Sequence, residues 1–280
     1  MRTLHALSEL NNFRNNLSGS VGFIPTMGAL HDGHLSLINK SNQTCDHTIV
    51  SIFINPTQFS QTEDLSTYPK TLDKDLKLLE NLHVDAVFLP KNDIMYPYGY
   101  STFVHEDIIS RGLEGESRPT FFKGVATIVV KLFNIVNPTH SFFGEKDAQQ
   151  LRVIKQVVTD LNFPIKIVPC SIVREKNGLA MSSRNKYLSI ESRQSATIIY
   201  HALTYGVSLL NKGEENSDII RQKITKKIQS EPAAKIDYIS ISNYHSLEEI
   251  RGKINCSVLI CAAVYFDGVR LIDNISYSPN

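Results

Sequence analysis

Residues 21–44 read VGFIPTMGALHDGHLSLINKSNQT, and this stretch decides how the N-terminal part of the chain is interpreted. It begins with a short apolar run at residues 21–25, passes through a turn that contains two glycines, and continues from His34 with helical spacing. A continuous apolar run followed by a period of 3.6 residues is typical of a buried strand that leads into a helix. The stretch therefore predicts one β–α unit.

The same alternation of apolar runs and helical segments continues as far as residue 170. Further strands are predicted at residues 49–54, 86–90, 141–143 and 165–169, and helices at residues 72–82, 128–136 and 151–161. Apolar strands that alternate with helices are typical of a parallel sheet covered on both faces. Such sheets bind ligands outside the carboxyl ends of their strands, so functional residues are expected in the loops that follow the strands.

The pattern changes after residue 173. A polar stretch at 174–187 precedes two helical segments, 191–210 and 218–230, and three strand-like runs at 238–241, 258–266 and 269–272, the last two joined by a tight Asp267-Gly268 turn. This order predicts a smaller α+β module. We place the boundary near residues 173–178 and predict an N-terminal domain of residues 1–175 and a C-terminal domain of residues 176–280.

Composition and charge limit the class of protein. Of the 280 residues, 42% are hydrophobic and 20% are charged, and 29 Lys and Arg against 28 Asp and Glu leave a net charge of +1. The chain is too apolar to be disordered, and it lacks the basic excess of proteins that bind nucleic acid or acidic membranes. We therefore expect neither nucleic acid nor a membrane as a partner.

The cysteines and the hydropathy of the chain indicate the cellular compartment of the protein. The four cysteines form no CxxC pair, which argues against a zinc site or a disulfide framework and favours a reducing cytoplasm. The longest apolar stretch, residues 258–266, is too short to span a bilayer. Residues 1–12 lack the apolar core of a secretory signal. The sequence predicts a cytoplasmic globular protein.

The loop at residues 26–33 carries the sharpest local pattern. Its two glycines allow a ligand to approach the backbone, and the N-terminus of the following helix offers N–H groups to an anion. His31 and His34 are three residues apart and can face the same side of the first helical turn. Two imidazoles here suit a polyphosphate, because they can donate hydrogen bonds where negative charge develops. The alternative is a pair of surface histidines at a helix start that Asp32 caps.

A second polar group follows the strand predicted at residues 141–143. Gly144 permits a tight turn, Lys146 supplies a positive charge for a phosphate, and Asp147 can help to hold a metal-bound nucleotide. The alternative is a capping box in which Asp147 is the N-cap and Gln150 is the N3 residue. The residues alone leave both interpretations open.

Three weaker patterns lie elsewhere in the chain. Residues 181–185, Met-Ser-Ser-Arg-Asn, suit either a mobile phosphate clamp or a flexible linker. Asn55 and Gln58 can bind a small polar substrate through their amides, although Asn-Pro is also a common turn. Arg118 lies in a glycine-containing stretch, residues 113–124, that could close over an anion or be a solvated loop.

Six segments of the chain together carry a family resemblance. They are PTMGALHDGH (25–34), SIFINPTQF (51–59), KLFNIVNP (131–138), FGEKDAQQL (143–151), GLAMSSRNKYL (178–188) and AAVYFDGVRLIDN (262–274). As an ordered set over nearly the whole chain, they closely resemble the pantothenate synthetase (pantoate–β-alanine ligase) family. The HDGH and MSSR elements are also similar to the HIGH and KMSKS signatures of the nucleotidyltransferase superfamily.

The resemblance implies a fold and an activity. The implied fold is a Rossmann-like parallel sheet in the N-terminal domain and a smaller α+β C-terminal domain that closes as a lid, in a homodimer. The implied reaction is the condensation of (R)-pantoate with β-alanine through a pantoyl adenylate, which uses ATP with Mg²⁺ and releases AMP and pyrophosphate. No protein metal site is implied, since the Mg²⁺ is bound with the phosphates of ATP.

The resemblance also implies roles for residues that match the family's motifs. His34 is the implied proton donor, Gln58 is implied to bind pantoate and β-alanine, and Gln150 is implied to bind pantoate. The implied catalytic residues are His31, His34, Lys146, Ser182, Ser183 and Arg184. The residues implied to contact ATP are Met27, Gly28, Ala29, Leu30, His31, Asp32, Gly33, His34, Gly144, Glu145, Lys146, Asp147, Val173, Met181, Ser182, Ser183 and Arg184.

Two positions depart from the family pattern, and two other functions stay open. Phe121 stands where the family commonly has histidine, so it is given no polar role, and Lys70 stands where the family has arginine. One alternative is a nucleotidyltransferase that acts on another small molecule and stops at a nucleotide conjugate. The other is a catalytically silent nucleotide-binding protein, against which the intact histidine pair, Lys146 and residues 182–184 argue.

Overall fold

The computed structural model describes residues 1–60 and 65–279. Tertiary contacts divide the chain into two compact units. The N-terminal unit consists of Met1–Glu145 and Gln149–Ser171, and the C-terminal unit consists of Lys146–Ala148 and Ile172–Asn280. Lys146–Ala148 therefore belongs with the C-terminal unit, although the chain on either side of it lies in the N-terminal unit.

A six-stranded parallel sheet forms the N-terminal unit, as the alternating pattern predicts. Its strands are β1 (Arg2–Leu4), β2 (Val21–Thr26), β3 (His47–Ile52), β4 (Ala86–Phe88), β5 (His140–Gly144) and β6 (Lys166–Cys170). They are ordered β1-β4-β3-β2-β5-β6, with every pairing parallel. The helices are α1 (Leu7–Asn15), α2 (Asp32–Thr44), α3 (Leu72–Asn81), α4 (Asn92–Met95), α5 (Leu113–Ser117), α6 (Phe121–Val136) and α7 (Ala148–Asp160), with 3₁₀ helices at Pro56–Gln58 and Glu145–Asp147.

The strand order creates a switch point between β2 and β5. The chain runs from β2 to β3 and β4 on one side of β2, and it then returns to place β5 on the other side. Connections from β2 and β5 therefore leave in opposite directions, and a crevice opens at the carboxyl ends of these two strands. The polar loops after β2, β3 and β5 all leave this edge of the sheet.

The inner strands of the sheet, β2, β3, β4 and β5, are buried on both faces. Phe23 and Ile24 are neighbours on β2, point to opposite faces, and are fully buried. Phe23 packs edge-on against Phe133 of α6, with 6.4 Å between ring centroids, whereas Ile24 packs in a cluster with Ile38 of α2 and Leu79 of α3. Burial of each such side chain contributes roughly 1.5–3 kcal/mol.

The C-terminal unit contains a three-stranded antiparallel sheet and helices. Its elements are a 3₁₀ helix at Ser183–Tyr187, α8 (Ile190–Ser195), α9 (Ile198–Asn211), α10 (Ser217–Gln229), β7 (Lys235–Asn243), β8 (Val258–Phe266) and β9 (Val269–Tyr277), with strand order β7-β8-β9. Asp267 and Gly268 join β8 to β9 with φ values of 50° and 77°, so the predicted tight turn is confirmed. Among the described residues, no helix is both long and apolar enough to cross a bilayer.

The structure differs from the predicted secondary structure in several places. The sequence does not predict β1 or α1, because a three-residue strand is too short to show a period and α1 buries little more than Leu10. The helix predicted at 191–210 is divided into two helices, α8 and α9. At the break between them, the Thr197 hydroxyl donates to the Gln194 carbonyl, and the ladder of helical hydrogen bonds is not continuous. The stretch at residues 113–124 is not a solvated loop, because it forms α5 and the start of α6.

Candidate functional site

The loop between β2 and α2 is held in an uncommon backbone conformation by a buried carboxylate. Gly28 and Ala29 have φ values of 84° and 52°, and the left-handed region is unfavourable for alanine. The Asp75 carboxylate of α3, 1% exposed, accepts the Ala29 N–H and the Leu30 N–H, each at 2.9 Å. The Thr71 hydroxyl also donates to it, at 3.1–3.2 Å. Asp75 thus fixes the loop that carries the histidines.

Sequence reasoning missed Asp75, although a signal for it exists. Asp75 lies four residues before the fully buried Leu79, so its carboxylate is on the buried side of α3. A charged residue on an apolar helix face needs hydrogen-bond partners inside the protein. The predicted helix at residues 72–82 therefore already contained the indication that Asp75 supports a neighbouring segment.

We expect Asp75→Asn to destabilise the protein by about 1–3 kcal/mol, because its amide group cannot accept both buried N–H groups. Urea unfolding of the Asp75→Asn variant measures the change. Asp73→Asn is the matched control, because Asp73 is exposed on the same helix. This substitution should change the free energy of unfolding by no more than about 0.5 kcal/mol. Equal midpoints for the two variants would show that the loop does not depend on Asp75.

The two histidines lie together at the N-terminus of α2. Their ring centroids are 4.1 Å apart and their planes are inclined by 42°. His31 is the N-cap of the helix, and its Nδ1 accepts the Gly33 N–H at 3.2 Å. The interpretation that Asp32 is the cap is therefore wrong: Asp32 is the first helical residue and is exposed, because the His31 ring already occupies the capping position.

The geometry of the pair favours an anionic ligand. Because Nδ1 of His31 accepts a hydrogen bond, Nε2 is the nitrogen that carries the proton in the neutral ring. The dipole of α2 adds a positive potential at the same place. Both histidines are half-buried, which strengthens their interaction with a charged group.

A buried amide network orients Gln58 after β3. Asn55 is 1% exposed and accepts hydrogen bonds from the Tyr96 hydroxyl at 2.7 Å and the Thr57 hydroxyl at 3.0 Å. Its Nδ2 donates to Gln58 Oε1 at 3.0 Å and to the Gly124 carbonyl at 3.1 Å. Burial raises the pKa of Tyr96 to about 12, so its hydroxyl stays a donor. Asn55 thus supports Gln58.

Gln58 brings the loops after β2 and β3 together. Its Nε2 donates to Met27 Sδ at 3.0 Å. A thioether is a weak acceptor, so a substrate oxygen can replace it at low cost. The Arg118 guanidinium stacks on the Phe121 ring at 3.7 Å and donates to the Gln58 carbonyl at 3.3 Å. Phe121, which received no polar role, therefore has a stacking role beside Gln58.

Close approach of α6 to the backbone near Gln58 requires a glycine. A Cβ on Gly124 would lie 2.4 Å from the Thr57 carbonyl oxygen, which real Cβ atoms do not tolerate. The sequence interpretation of residues 113–124 gave this glycine no structural role. The helix can pass so close only because position 124 has no side chain, and this contact sets where the Pro56–Gln58 turn lies.

The first turn of α7 carries two neighbouring glutamines with different surroundings. Gln149 is 4% exposed: its Nε2 donates to the carbonyls of Ile109, Arg111 and Gly112, and its Oε1 accepts the Glu114 N–H. Gln149 therefore holds the preceding loop. Gln150 is half-exposed, and among the described residues its side chain has no hydrogen-bond partner, which leaves its amide able to bind a ligand.

Gly144 has a different role from the one that the sequence indicates. It lacks a positive φ, and a Cβ there would meet no atom of the described residues within 4 Å. The turn therefore does not require glycine, and the interpretation of Gly144 as a turn residue is wrong. Open space beside the carboxyl end of β5 is what a ligand at the switch point needs.

In the C-terminal unit, a hairpin brings Val173 and Met181 side by side. The Met181 N–H donates to the Val173 carbonyl at 3.0 Å, and Arg174 pairs with Ala180. Ser182 caps the following 3₁₀ helix, with its Oγ accepting the Arg184 N–H at 3.3 Å. The stretch is therefore a hairpin and a capped turn, and the flexible-linker interpretation is wrong.

Lys146 lies in the same unit as this hairpin. The Lys146 Nζ is 3.6 Å from Asp147 Oδ1, and its side chain is 18% exposed. Lys146, Ser182, Asn185 and Asp273 line one small cavity. Two of the three predicted phosphate-binding groups therefore meet within the C-terminal unit, whereas the histidine pair and Gln58 belong to the N-terminal unit.

These features define a class of protein. It is an α/β protein with a Rossmann-like sheet, in which imidazoles and amides collect at the switch point where such folds bind nucleotides and their partner substrates. The four cysteines are free thiols, and none of them takes part in these arrangements. Comparison with known proteins defines the family.

The model of the pantoate-beta-alanine ligase family matches residues 1–276. A pantothenate synthetase of Acetivibrio thermocellus is 49% identical over 278 residues, which cover 98% of this chain and 99% of the relative. One of Clostridium botulinum is 50% identical over 258 residues, 92% of each chain. A crystal structure of pantothenate synthetase from Thermus thermophilus is 38% identical, with a TM-score of 0.95 and full coverage of both chains. The chain belongs to the pantoate–β-alanine ligase family.

A further solved relative contains ligands. It is the pantoate–β-alanine ligase from Francisella tularensis, complexed with β,γ-ATP and β-alanine. It is 37% identical to this chain, covers 98% of it, and has a TM-score of 0.80.

Proposed function

We propose that this chain condenses (R)-pantoate with β-alanine, using ATP and forming pantothenate, AMP and pyrophosphate. Family membership over residues 1–276 gives the reaction class. The structural observation that carries the proposal is the imidazole pair, 4.1 Å between centroids, at the N-terminus of α2 and at the switch point of the sheet. That place suits a polyphosphate, and the amide groups of Gln58 and Gln150 suit a small hydroxy acid.

The reaction proceeds in two steps. A carboxylate oxygen of pantoate attacks the α-phosphorus of ATP, the bond to the β-phosphate oxygen breaks, and pyrophosphate leaves. The amine of β-alanine then attacks the acyl carbon of the adenylate, loses a proton, and displaces AMP. Pantoate is already ionised near neutral pH, so the first step needs alignment and charge stabilisation more than a strong base.

The side chains have separate roles in the first step. His34 and His31 donate hydrogen bonds to the phosphate oxygens as negative charge develops, and residues 27–33 line the nucleotide. Lys146 places a positive charge on the phosphates. Gln58 orients pantoate and β-alanine, and Gln150 binds pantoate. The other residues proposed to contact ATP are Gly144, Glu145, Asp147, Val173, Met181, Ser182, Ser183 and Arg184.

A metal ion that arrives with ATP would meet one carboxylate of this protein beside Lys146. Asp147 is half-exposed beside Lys146 and is the carboxylate that would help to hold a nucleotide-bound Mg²⁺. Such an ion neutralises phosphate charge when it is bound.

Exchange of labelled pyrophosphate into ATP tests the proposal against its alternatives. Pantoate-dependent exchange, followed by release of AMP when β-alanine is added, is the expected result. A stable nucleotide conjugate as the product would instead indicate a nucleotidyltransferase, and no exchange would indicate a silent nucleotide-binding protein. Either of these two results contradicts the proposed function.

We expect Gly144→Ala to raise the KM for ATP about tenfold or more without changing the melting temperature. The added methyl group would enter space that the nucleotide fills, and overpacking of this kind costs roughly 1–3 kcal/mol. It meets no protein atom within 4 Å. Gly22→Ala is the contrasting control. The added Cβ would lie 2.0 Å from Ser41 Oγ, so the melting temperature of this variant should fall. If Gly144→Ala leaves the KM for ATP unchanged, the nucleotide does not bind at the carboxyl end of β5.

Two further properties are proposed with the function. The free state of the four cysteines and the use of ATP support a cytoplasmic location. A homodimer is supported by the family and by large exposed side chains, Tyr98, Phe103 and Ile108, in one segment of the N-terminal unit. A sedimentation experiment that finds only monomer would contradict the dimer.

A further inference from the structure

The backbone at Lys146 is held by a residue far away in the sequence. The Nδ2 group of Asn274, on β9, donates to the Lys146 carbonyl at 2.9 Å. Asn274 is 6% exposed, so water competes little for this hydrogen bond. The contact agrees with the place of Lys146–Ala148 in the C-terminal unit.

Asn274 is itself fixed by a buried ion pair. Its backbone N–H donates to Asp273 Oδ1 at 2.8 Å. Asp273 is 4% exposed, and its two carboxylate oxygens accept from Arg174 Nη1 at 2.6 Å and Nη2 at 2.9 Å. A bidentate guanidinium–carboxylate pair has a fixed geometry, so it restricts where the neighbouring Asn274 can point.

The same arginine organises the hairpin that precedes the Met181–Arg184 segment. Its Nη1 also donates to the Gly178 carbonyl at 3.1 Å, and its guanidinium lies 4.1 Å from the centre of the Tyr200 ring. Arg174 pairs with Ala180 across the hairpin. One guanidinium therefore connects the hairpin with β9, and β9 in turn holds Lys146.

Charge and position link the network to the Lys146 side chain as well. Burial raises the pKa of the Asp273 carboxyl, and the charges of Arg174 and Lys146 oppose this shift. Lys146 and Asp273 line the same cavity, with Ser182 on its wall. The network thus reaches both the backbone and the ammonium group of Lys146, and it reaches the segment that carries the hydroxyls.

We propose that Asn274, with the Arg174–Asp273 pair behind it, is a positioning residue for Lys146. Its role is to hold the lysine in register with Ser182 so that the ammonium group meets the phosphates of ATP. This inference rests on the proposed function, because it takes the Lys146 contact with ATP as given. Asn274 does not touch substrate in this account; it acts through Lys146 alone.

The test is an Asn274→Leu variant of the full chain, which nearly keeps the size of the side chain, removes the donor and adds no charge. We expect the KM for ATP in pyrophosphate exchange to rise by about five- to tenfold, as for loss of one hydrogen bond. The KM for pantoate should not change. Asn211→Leu, at an exposed position in α9, is the matched control and should behave like the unmodified protein.

A double-mutant cycle separates positioning from a merely structural role. In a Lys146→Met background, Asn274→Leu should cause no further change in the KM for ATP, because the side chain on which it acts is already gone. If the two effects multiply instead, Asn274 does not act through Lys146 and the inference is wrong. Asn274→Ala is measured in the same cycle, so that an unstable Asn274→Leu variant does not prevent the decision.

Failure of this inference is distinguishable from failure of the proposed function. If the unmodified protein shows no pantoate-dependent exchange, the proposed function itself is wrong. If it does exchange, and Lys146→Met loses activity while both Asn274 variants match the unmodified protein in their KM for ATP, only the positioning role is wrong.

Discussion

His34→Ala is expected to form the adenylate about 10²–10³ times more slowly than the unmodified protein, since removal of one well-placed donor to developing charge typically costs that much. The His34 ring lies 4.1 Å from the His31 ring, centroid to centroid, at the N-terminus of α2. His31 still caps the helix in this variant, so the fold should remain intact. The rate of pantoate-dependent pyrophosphate exchange measures the effect.

His201→Ala is the matched control for the histidine prediction. His201 is exposed on α9 of the C-terminal unit, so its removal should leave the exchange rate unchanged. His34→Gln keeps a neutral N–H donor at this position and should retain part of the activity. A folded His34→Ala variant with a near-normal exchange rate would refute the role of His34 as a donor.

Lys146→Met is expected to have the second large effect. We expect its exchange rate to fall by about 10²–10³ and its KM for ATP to rise, because the phosphates lose a positive charge in a site of low dielectric constant. The melting temperature should change little, since the Asp273 carboxylate keeps its bidentate partner Arg174 at 2.6 and 2.9 Å. Steady-state kinetics with ATP varied and calorimetry of the same preparation measure both quantities.

Two comparisons make the lysine prediction specific. Lys146→Arg keeps the charge but changes its shape, so it should recover only part of the lost rate. Lys155→Met removes a charge from an exposed position on α7 and should have no effect. If Lys146→Met and Lys155→Met have the same exchange rate, Lys146 does not contact the reacting phosphates.

The N-terminal sheet is largely predictable from the sequence because its inner strands are buried on both faces. A run such as residues 21–25 has no polar residue to interrupt it, and the structure places it in β2 at the centre of the sheet. The loops after β2, β3 and β5 could therefore be placed at one edge. The order of the strands, which puts the switch point between β2 and β5, was not accessible from a single sequence.

The supporting residues were much harder to predict than the residues they support. Histidines, lysine and glutamines stand out by their chemistry, whereas Asp75 and Asn274 act through backbone N–H and carbonyl groups that no motif marks. Asp75 receives the N–H groups of the β2–α2 loop across 45 and 46 residues of sequence, and Asn274 reaches Lys146 across 128 residues. Only the folded chain brings such partners together.

The different roles of two neighbouring glutamines could be assigned only from the structure. Gln149 and Gln150 are equal in chemistry, and the sequence offers no physical reason to prefer one as a ligand; only the family resemblance favoured Gln150. In the structure Gln149 is 4% exposed and bonded to three carbonyls and one N–H, which leaves Gln150 able to bind a substrate. The role of Gly144 was also predicted wrongly, because its backbone conformation does not require a glycine.

The transfer of oxygen from pantoate to AMP tests the adenylate mechanism most directly. Pantoate labelled with ¹⁸O in its carboxylate is converted in the presence of ATP and β-alanine, and the released AMP and pyrophosphate are analysed by mass spectrometry. Attack of the carboxylate on the α-phosphorus predicts one ¹⁸O atom in the phosphate of AMP and none in pyrophosphate. Unlabelled AMP, or label in released inorganic phosphate, would contradict the account.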